Sequence, residues 1–231
     1  MINLIEEVKK EVYELLNKDN SGHGMDHINR VLELSLKFAE KENANKDVVA
    51  LIALLHDVDD YKLFGVETAE NLTNAKRIMS NANVDKSIQK QVLSSLKCIG
   101  YSKSLKGIRP TSIEGKTVSD ADMCDALGVN GILRTYKYSM KNGKPFFDKN
   151  SFPIENMSAS KYATRTSDSS VCHIFEKILK LKDLMMTDSG KEEAKERHKI
   201  VVDILYHLFK EENALEWTTY LDKYLKNDTN L

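Results

Sequence analysis

Residues that interrupt helices are scarce in this sequence, since its 231 residues include only three prolines and ten glycines. A β-sandwich or β-barrel needs many tight turns, so this scarcity argues against such an architecture. Leucine, lysine, glutamate and alanine are plentiful instead, and these residues favour helices. No repeat, low-complexity tract or linker divides the chain. We therefore predict an all-α fold, a compact multi-helix bundle, as a single domain over residues 1–231.

An excess of charge of one sign is also missing, because 34 Lys and Arg residues accompany 35 Asp and Glu residues. This balance provides no global field that would attract nucleic acid or an anionic membrane. No run of about 18 apolar residues is present to span a membrane, and the amphipathic N-terminus differs from a secretion signal. We expect a cytoplasmic protein that binds neither nucleic acid nor membrane.

Cysteines are few and scattered. Cys98, Cys124 and Cys172 are odd in number and form no C-x-x-C pair. This pattern argues against a disulfide framework and against a thiolate zinc site.

Apolar residues recur at helical spacing along most of the chain. Helices are predicted at 2–17, 26–42, 67–82, 85–99, 169–186, 190–212 and near 214–226. The string VSDADMCDALGVNGILRTYKY predicts a further helix after a loop, and residues 140–168 predict a long loop because they contain two prolines and little periodicity.

One predicted helix, VVALIALLHDVDDY, is apolar on almost every side before it reaches His56 and Asp57. An ionised carboxylate on a buried helix is costly unless it is paired or binds a metal. An imidazole and a carboxylate at adjacent positions can both contact one cation. His27 and the aspartates of SDADMCDA are the nearest candidates to complete the ligand set. The alternative is that His27 is a hydrogen-bonded structural residue and that Asp120, Asp122 and Asp125 form a helix cap and a solvated face.

The strings HGMDHINRV, ALLHDVDDY and VSDADMCDALG resemble the HD superfamily of metal-dependent phosphohydrolases. The resemblance implies a bundle of the HD-domain type, with a metal-binding core at about 20–130 and C-terminal helices at about 169–226 that complete the site. It also implies four metal ligands: His27, His56, Asp57 and Asp122. Asp120 then supports a ligand or caps a helix.

The string CHIFEKILKLKDLMMTDSGKEEAKERHKIVVDIL extends the resemblance to small bacterial nucleotide pyrophosphohydrolases, over roughly residues 20–212. The implied substrate is a small phosphate compound, most simply a nucleoside triphosphate or its deoxy form. One departure is Met123-Cys124, where these relatives usually have Arg-Leu. The change affects either substrate contacts or a surface salt bridge.

Asp60 is our candidate for the catalytic acid or base. It follows His56 by four residues, which would be one helical turn, and several HD phosphohydrolases resemble this chain in having an acid at that offset. The alternative is an exposed carboxylate at a helix end. Asp59 is less favoured, since its direction would differ by about 100°.

A phosphate substrate also needs cations, because negative charge develops on its oxygens during hydrolysis. Arg30 lies three residues after His27, and His23 precedes it by four. The resemblance adds three downstream candidates: Lys180, Lys182 and Arg197. The alternative for each is a solvated surface charge.

Histidine and carboxylate ligands without thiolate suit Mn²⁺, Mg²⁺, Co²⁺, Ni²⁺, Fe²⁺ or Zn²⁺, and the resemblance favours Mn²⁺. A second metal would need further histidines before Asp122, and residues 58–121 contain none. We therefore expect one divalent ion that lowers the pKa of a water molecule and polarises a phosphoryl oxygen.

Two other functions remain open from the sequence. One is a nucleotide-binding signalling or sensor module that keeps the metal for structure and has no turnover. The other is a phosphomonoesterase of the 5′-nucleotidase type. The sequence does not determine the oligomeric state.

Overall fold

The computed structural model describes residues 2–19, 23–154 and 167–228, and these residues form helices and connecting loops without a β-strand. The all-α prediction is therefore confirmed. The elements are α1 Ile2–Leu16, α2 Met25–Lys41, α3 Lys46–Leu55, α4 Tyr61–Phe64, α5 Val66–Asn71, α6 Thr73–Asn81, α7 Lys86–Leu96, α8 Tyr101–Ser104, α9 Ile113–Asp125, α10 Gly128–Lys141, α11 Ser170–Glu176, a 3₁₀ helix Ile178–Leu184, α12 Asp188–Glu211 and α13 Leu215–Asp228. Among these elements, none is long and apolar enough to cross a membrane.

The described residues form two compact units. The first contains the chain as far as Asp125 together with Asp183–Glu193, and the second contains Ala126–Lys182 and the chain from Ala194 onwards. The expectation of a single domain, whose C-terminal helices complete the metal site, stays a prediction.

Helix α3 forms the centre of the first unit. All eight residues from Val48 to Leu55 are buried, and α3 packs against α1, α2, α7 and α9. The Asn45 side chain accepts hydrogen bonds from the backbone N–H groups of Asp47 and Val48, so it caps the N-terminus of the helix. The buried helix predicted from VVALIALL is thus confirmed.

The predicted continuation of that helix through His56 and Asp57 is wrong. Helix α3 ends at Leu55, and residues 56–60 form a turn before α4. The carboxylate of Asp59 holds this turn, because it accepts hydrogen bonds from the backbone N–H groups of Asn74 (2.8 Å) and Ala75 (2.9 Å) at the start of α6. Asp59 is therefore a tertiary cap for α6.

Three further helix boundaries differ from the predictions. Leu72 has a φ of 50°, and the helix predicted at 67–82 is divided there into α5 and α6. Gly128 has a φ of 73°, and the helix predicted from VSDADMCDALGVNGILRTYKY is divided into α9 and α10. The helix predicted at 169–186 is a short α-helix followed by a 3₁₀ helix.

The long loop predicted at 140–168 begins after α10 ends at Lys141. Residues 142–154 contain no helix, and residues 155–166 lie outside the described part of the chain.

Aromatic side chains form the core of the second unit. Trp217 is 1% exposed, and its ring lies 5.5 Å from that of Phe209 and 5.9 Å from that of Phe175, between centroids. Its indole N–H donates to the backbone oxygen of Lys149 at 3.0 Å. The buried polar atom is thereby satisfied within an apolar cluster.

Candidate metal centre

His27 lies near the start of α2, at a point where the chain makes a tight approach. A Cβ atom on Gly24 would lie 2.6 Å from the backbone oxygen of Asp19, so only glycine fits there without displacement. Asp19 also accepts a hydrogen bond from the backbone N–H of His23. These contacts fix His23 in the loop and place His27 within the first turn, in a position that is 3% exposed.

His56 and Asp57 occupy the turn that follows α3. The His56 Nδ1 atom lies 2.7 Å from the backbone oxygen of Ala53, and Asp59 anchors the end of the turn on α6. The two residues are thus held by the end of a buried helix, although neither is inside it.

Helix α9 contributes Asp122 to the same place. Asp120, two residues earlier, instead accepts hydrogen bonds from the backbone N–H of Met186, the backbone N–H of Thr187 and the Thr187 hydroxyl. Asp120 therefore caps the start of α12, as the sequence suggested in one of its alternatives. A Cβ atom on Gly190 would lie 2.4 Å from the Asp120 Oδ2 atom, so glycine is required beside this cap.

Four donor atoms converge: Nε2 of His27, Nε2 of His56, Oδ2 of Asp57 and Oδ1 of Asp122. The two nitrogens are 3.0 Å apart. The Asp57 oxygen is 3.4 Å from the first nitrogen and 3.6 Å from the second, and the Asp122 oxygen is 3.5 and 3.9 Å from them. Ligands about 2.1 Å from one cation would stand roughly 3.0 to 3.4 Å apart. The structure brings together all four residues predicted as ligands.

The hydrogen bonds that the two imidazoles make through Nδ1 fit a cation between their Nε2 atoms. A backbone oxygen only accepts, so His56 donates from Nδ1 to Ala53, and its Nε2 atom is the one that can offer a lone pair to a metal. His27 Nδ1 lies 2.7 Å from Oδ2 of Asp125, another acceptor. The two Nε2 atoms lie 3.0 Å apart beside two carboxylates, and a divalent cation bound there would accept a lone pair from each of the four ligand atoms.

Electrostatics in the cluster favour an ionised Asp57. Burial alone would raise its pKa, but the interaction with His56 and the hydrogen bond of His23 outweigh burial and hold the pKa of Asp57 well below its usual range. Burial likewise opposes the charge on His23, yet the hydrogen bond and charge of Asp57, aided by Asp60, raise the pKa of His23. The site therefore keeps an anionic carboxylate for a cation to bind.

Asp60 lies beside the cluster for a reason that differs from the predicted one. Because α3 has ended, no helical turn connects Asp60 to His56. Asp60 is instead the N-cap of α4 and accepts from the backbone N–H of Lys62 at 2.9 Å. One carboxylate oxygen of Asp60 still lies within 4.8 Å of ligand atoms of His23 and Asp57. The proximity on which the catalytic prediction depends is present, although its helical reason was wrong.

Asp125, on the last turn of α9, was missed as a residue of the site. It contacts His27 Nδ1, and its two oxygens accept from the Arg30 Nε atom at 2.6 Å and the Nη2 atom at 3.1 Å. Arg30, predicted to bind substrate, is thus engaged with a carboxylate behind His27, and its role toward substrate stays a prediction. Asp125 lies in the quoted string SDADMCDA, but only the fold connects it with Arg30.

The other predicted substrate residues belong to different parts of the chain. His23 lies in the first unit, where its Nδ1 atom is 2.7 Å from Oδ2 of Asp57. Lys180 and Lys182 lie on the 3₁₀ helix and Arg197 on α12, all half-buried in the second unit. The substrate contacts of these residues stay predictions.

The Met123-Cys124 departure faces the interior. Met123 is 4% exposed and Cys124 is fully buried, with its Sγ atom 3.9 Å from Met185 Sδ and 3.8 Å from the Gly190 backbone oxygen. Cys124 therefore packs against the start of α12, and neither of these buried residues can form a surface salt bridge.

Comparison with known proteins agrees with this site. The chain matches the HD domain family over residues 24–127, a segment that contains all four converging ligands. It is 30% identical to YpgQ of Bacillus subtilis (strain 168) over 210 residues, which are 89% of this chain and 92% of that protein. The chain belongs to the HD superfamily.

Solved structures of similar proteins match this chain over nearly its whole length. A Lactobacillus plantarum protein shares 30% identity, covering 95% of this chain and 99% of its own, with a TM-score of 0.77. An HD-superfamily hydrolase from Bacillus thuringiensis shares 33% identity over 91% and 97%, with a TM-score of 0.70. YpgQ in complex with ADP shares 29% identity over 91% and 95%, with a TM-score of 0.66. The fold is thus that of an HD-type hydrolase, an enzyme class that depends on a divalent metal.

Proposed function

We propose that this HD-type hydrolase is a nucleotide pyrophosphohydrolase that uses Mn²⁺ and cleaves a nucleoside or deoxynucleoside triphosphate between its α- and β-phosphates. The observation that carries the proposal is the convergence of two imidazole nitrogens, 3.0 Å apart, with two carboxylate oxygens that each lie 3.4 to 3.9 Å from both nitrogens, next to the carboxylate of Asp60. A site for one divalent cation thereby adjoins a group that can transfer a proton.

His27, His56, Asp57 and Asp122 would hold the cation. When bound, a divalent cation lowers the pKa of a water molecule from 15.7 towards about 7 and withdraws charge from a phosphoryl oxygen. Imidazole and carboxylate ligands without a thiolate suit Mn²⁺ as well as Mg²⁺, Co²⁺, Ni²⁺, Fe²⁺ and Zn²⁺. Our preference for Mn²⁺ follows the family resemblance.

Asp60 is the group that we assign to the proton. Its carboxylate accepts a proton from the attacking water while the water oxygen bonds to the α-phosphorus. The bond from that phosphorus to the bridging oxygen breaks, and pyrophosphate leaves with the electron pair. The products are a nucleoside monophosphate and pyrophosphate, so one water molecule is consumed. General acid–base catalysis of this kind contributes roughly 10²- to 10⁴-fold to rate.

The nucleotide is the part of the proposal that depends most on a relative. YpgQ has been crystallised with ADP, and its similarity to this chain covers 91% of this chain. A phosphate chain needs cations to balance its charge, and we assign this role to His23, which lies beside the metal ligands. Arg30 is engaged with Asp125, and the substrate contacts of Lys180, Lys182 and Arg197 stay predictions from the sequence. A cytoplasmic location, where free nucleotides are found, is part of the same proposal.

The test is a substrate panel of dNTPs, NTPs, nucleoside monophosphates and p-nitrophenyl phosphate, assayed with EDTA or with each candidate metal. We expect Mn²⁺-dependent release of pyrophosphate from triphosphates. In oxygen-18 water, attack on the α-phosphorus places the label in the monophosphate. The His56→Ala variant, which removes one ligand, serves as the matched inactive control.

Two other outcomes of this panel would each indicate a different function. Release of inorganic phosphate from monophosphates, without pyrophosphate, would indicate a phosphomonoesterase instead. Metal and nucleotide binding without EDTA-sensitive turnover of any compound would contradict an enzyme and indicate a sensor module.

A further inference from the structure

The buried carboxylate of Asp125 is hydrogen-bonded to a residue of the metal site and to an arginine. Its side chain is 2% exposed, and such a charge is costly unless it is paired and hydrogen-bonded. Two of its partners are Arg30, through Nε and Nη2, and His27, through Nδ1. The carboxylate thus connects an arginine fork to the rear nitrogen of a metal-site imidazole.

Both partners come from one helix. Arg30 follows His27 by three residues on α2, so its side chain lies on the same face as the imidazole. Oδ1 of Asp125 accepts from Nε at 2.6 Å, and Oδ2 accepts from both Nη2 at 3.1 Å and His27 Nδ1 at 2.7 Å. A guanidinium fork that binds both oxygens of a carboxylate fixes the plane of that carboxylate.

We propose that Arg30 and Asp125 are a positioning pair, which fixes the ring plane and tautomer of His27 and thereby sets the affinity of the metal site. This inference rests on the cation site of the proposed function. Asp125 only accepts, so the His27 proton stays on Nδ1 and the lone pair stays on Nε2, the nitrogen that faces His56, Asp57 and Asp122. The opposite tautomer would place an N–H group where the cation needs a lone pair.

The two histidines of the site are held by different kinds of acceptor. The tautomer of His56 is fixed by the backbone oxygen of Ala53, which no side-chain substitution removes. That of His27 is fixed by a side chain 98 positions later in the sequence. The proposal therefore concerns one ligand, and it gives Arg30 a positioning task in place of the substrate contact predicted from the sequence.

The test compares Asp125→Asn with Asp120→Asn, which makes the same substitution at another buried aspartate of α9. An amide can present an N–H group to His27 Nδ1 and so favour the wrong tautomer. Removing a carboxylate partner of a metal-bound histidine typically weakens metal binding by roughly 10- to 100-fold. We expect such a loss for Asp125→Asn when Mn²⁺ is titrated by calorimetry. Asp120→Asn should bind Mn²⁺ as the unmodified protein does.

A second readout needs neither metal nor turnover. In metal-free protein labelled with nitrogen-15 histidine, NMR distinguishes the protonated from the unprotonated ring nitrogen. We expect His27 to carry its proton on Nδ1 in the unmodified protein and in Asp120→Asn, but to lose this preference in Asp125→Asn. If Asp125→Asn does not fold, Arg30→Gln is used in its place, because the Arg30 side chain is 35% exposed in the unmodified protein. Arg30→Lys should restore part of the Mn²⁺ affinity.

Unchanged Mn²⁺ affinity and unchanged His27 nitrogen signals in both Asp125→Asn and Arg30→Gln would overturn the pair. Loss of substrate affinity in Arg30→Gln with normal Mn²⁺ affinity would return Arg30 to substrate binding and also overturn it. If the tautomer and Mn²⁺ affinity change as expected but the unmodified protein hydrolyses no nucleotide, the proposed function fails and this inference stands.

Discussion

Replacing Asp59 by Ala should destabilise the fold and weaken the metal site together. Asp59 is 6% exposed and holds the turn of residues 56–60 on α6 through the backbone N–H groups of Asn74 and Ala75. The substitution removes a helix cap, which typically costs about 1 kcal/mol, and leaves the N–H of buried Ala75 without its acceptor, at about 1 to 2 kcal/mol. The expected loss is therefore about 2 to 3 kcal/mol.

The assay for Asp59→Ala is urea denaturation of the metal-free protein, followed by Mn²⁺ titration. Asp85→Ala is the control, because Asp85 also caps a helix, α7, but lies on the surface. The control should lose less stability and keep its Mn²⁺ affinity. If Asp59→Ala is as stable as the unmodified protein, or unfolds earlier while Mn²⁺ binding is unaffected, the turn does not depend on this anchor as we infer.

Three more predictions concern catalysis, metal binding and pH. Asp60→Asn should keep bound Mn²⁺ while turnover falls roughly 10²- to 10⁴-fold, because asparagine preserves the N-cap at Lys62; full activity would make Asp60 a surface carboxylate. Mn²⁺ at about 100 times its dissociation constant should add about 2.7 kcal/mol to the free energy of unfolding. The melting temperature should therefore rise with Mn²⁺, and both EDTA and the His56→Ala substitution should abolish this rise. An equal rise in His56→Ala would show that the ion binds elsewhere. The hydrogen bond to Asp222 raises the pKa of Tyr206 to about 12. The stabilisation of the fold by this hydrogen bond is therefore complete below about pH 10 and is lost as the pH rises through 12. The difference in tyrosinate absorbance between the protein and its Tyr206→Phe variant measures this pKa, and a value near 10 would contradict the hydrogen bond.

The metal ligands could be predicted because their chemistry is local. Asp57 follows an apolar helix, and its charge there requires a partner that is visible in the string itself. The register of His27 and Asp122 came from the family resemblance. The structure brings these two residues to the doublet because α2 and α9 both pack against α3.

The end of α3 was not predictable in the same way. No glycine or proline follows Leu55 before Gly65, so the local sequence contains no strong stop signal. The chain leaves the helix because Asp59 finds donors on α6, 15 and 16 residues away. The same tertiary effect applies to Leu72, a residue that rarely adopts a positive φ and that no local pattern identifies.

The Arg30–Asp125 pair is a clearer example of a contact that the sequence alone does not predict. Each residue occurs in a string that was used to identify the metal site, yet 95 positions separate them. Their contact depends on the packing of α2 against α9, and that packing cannot be derived from the spacing within either helix. Side chains that support a ligand are therefore harder to predict than the ligand itself.

The most direct test of the account is an anomalous difference map, recorded at the manganese absorption edge, from crystals grown with Mn²⁺. We predict a peak about 2.0 to 2.3 Å from Nε2 of His27, Nε2 of His56 and a carboxylate oxygen of both Asp57 and Asp122. Absence of a peak there, or a peak held by other residues, would contradict the metal centre on which the proposed hydrolase depends.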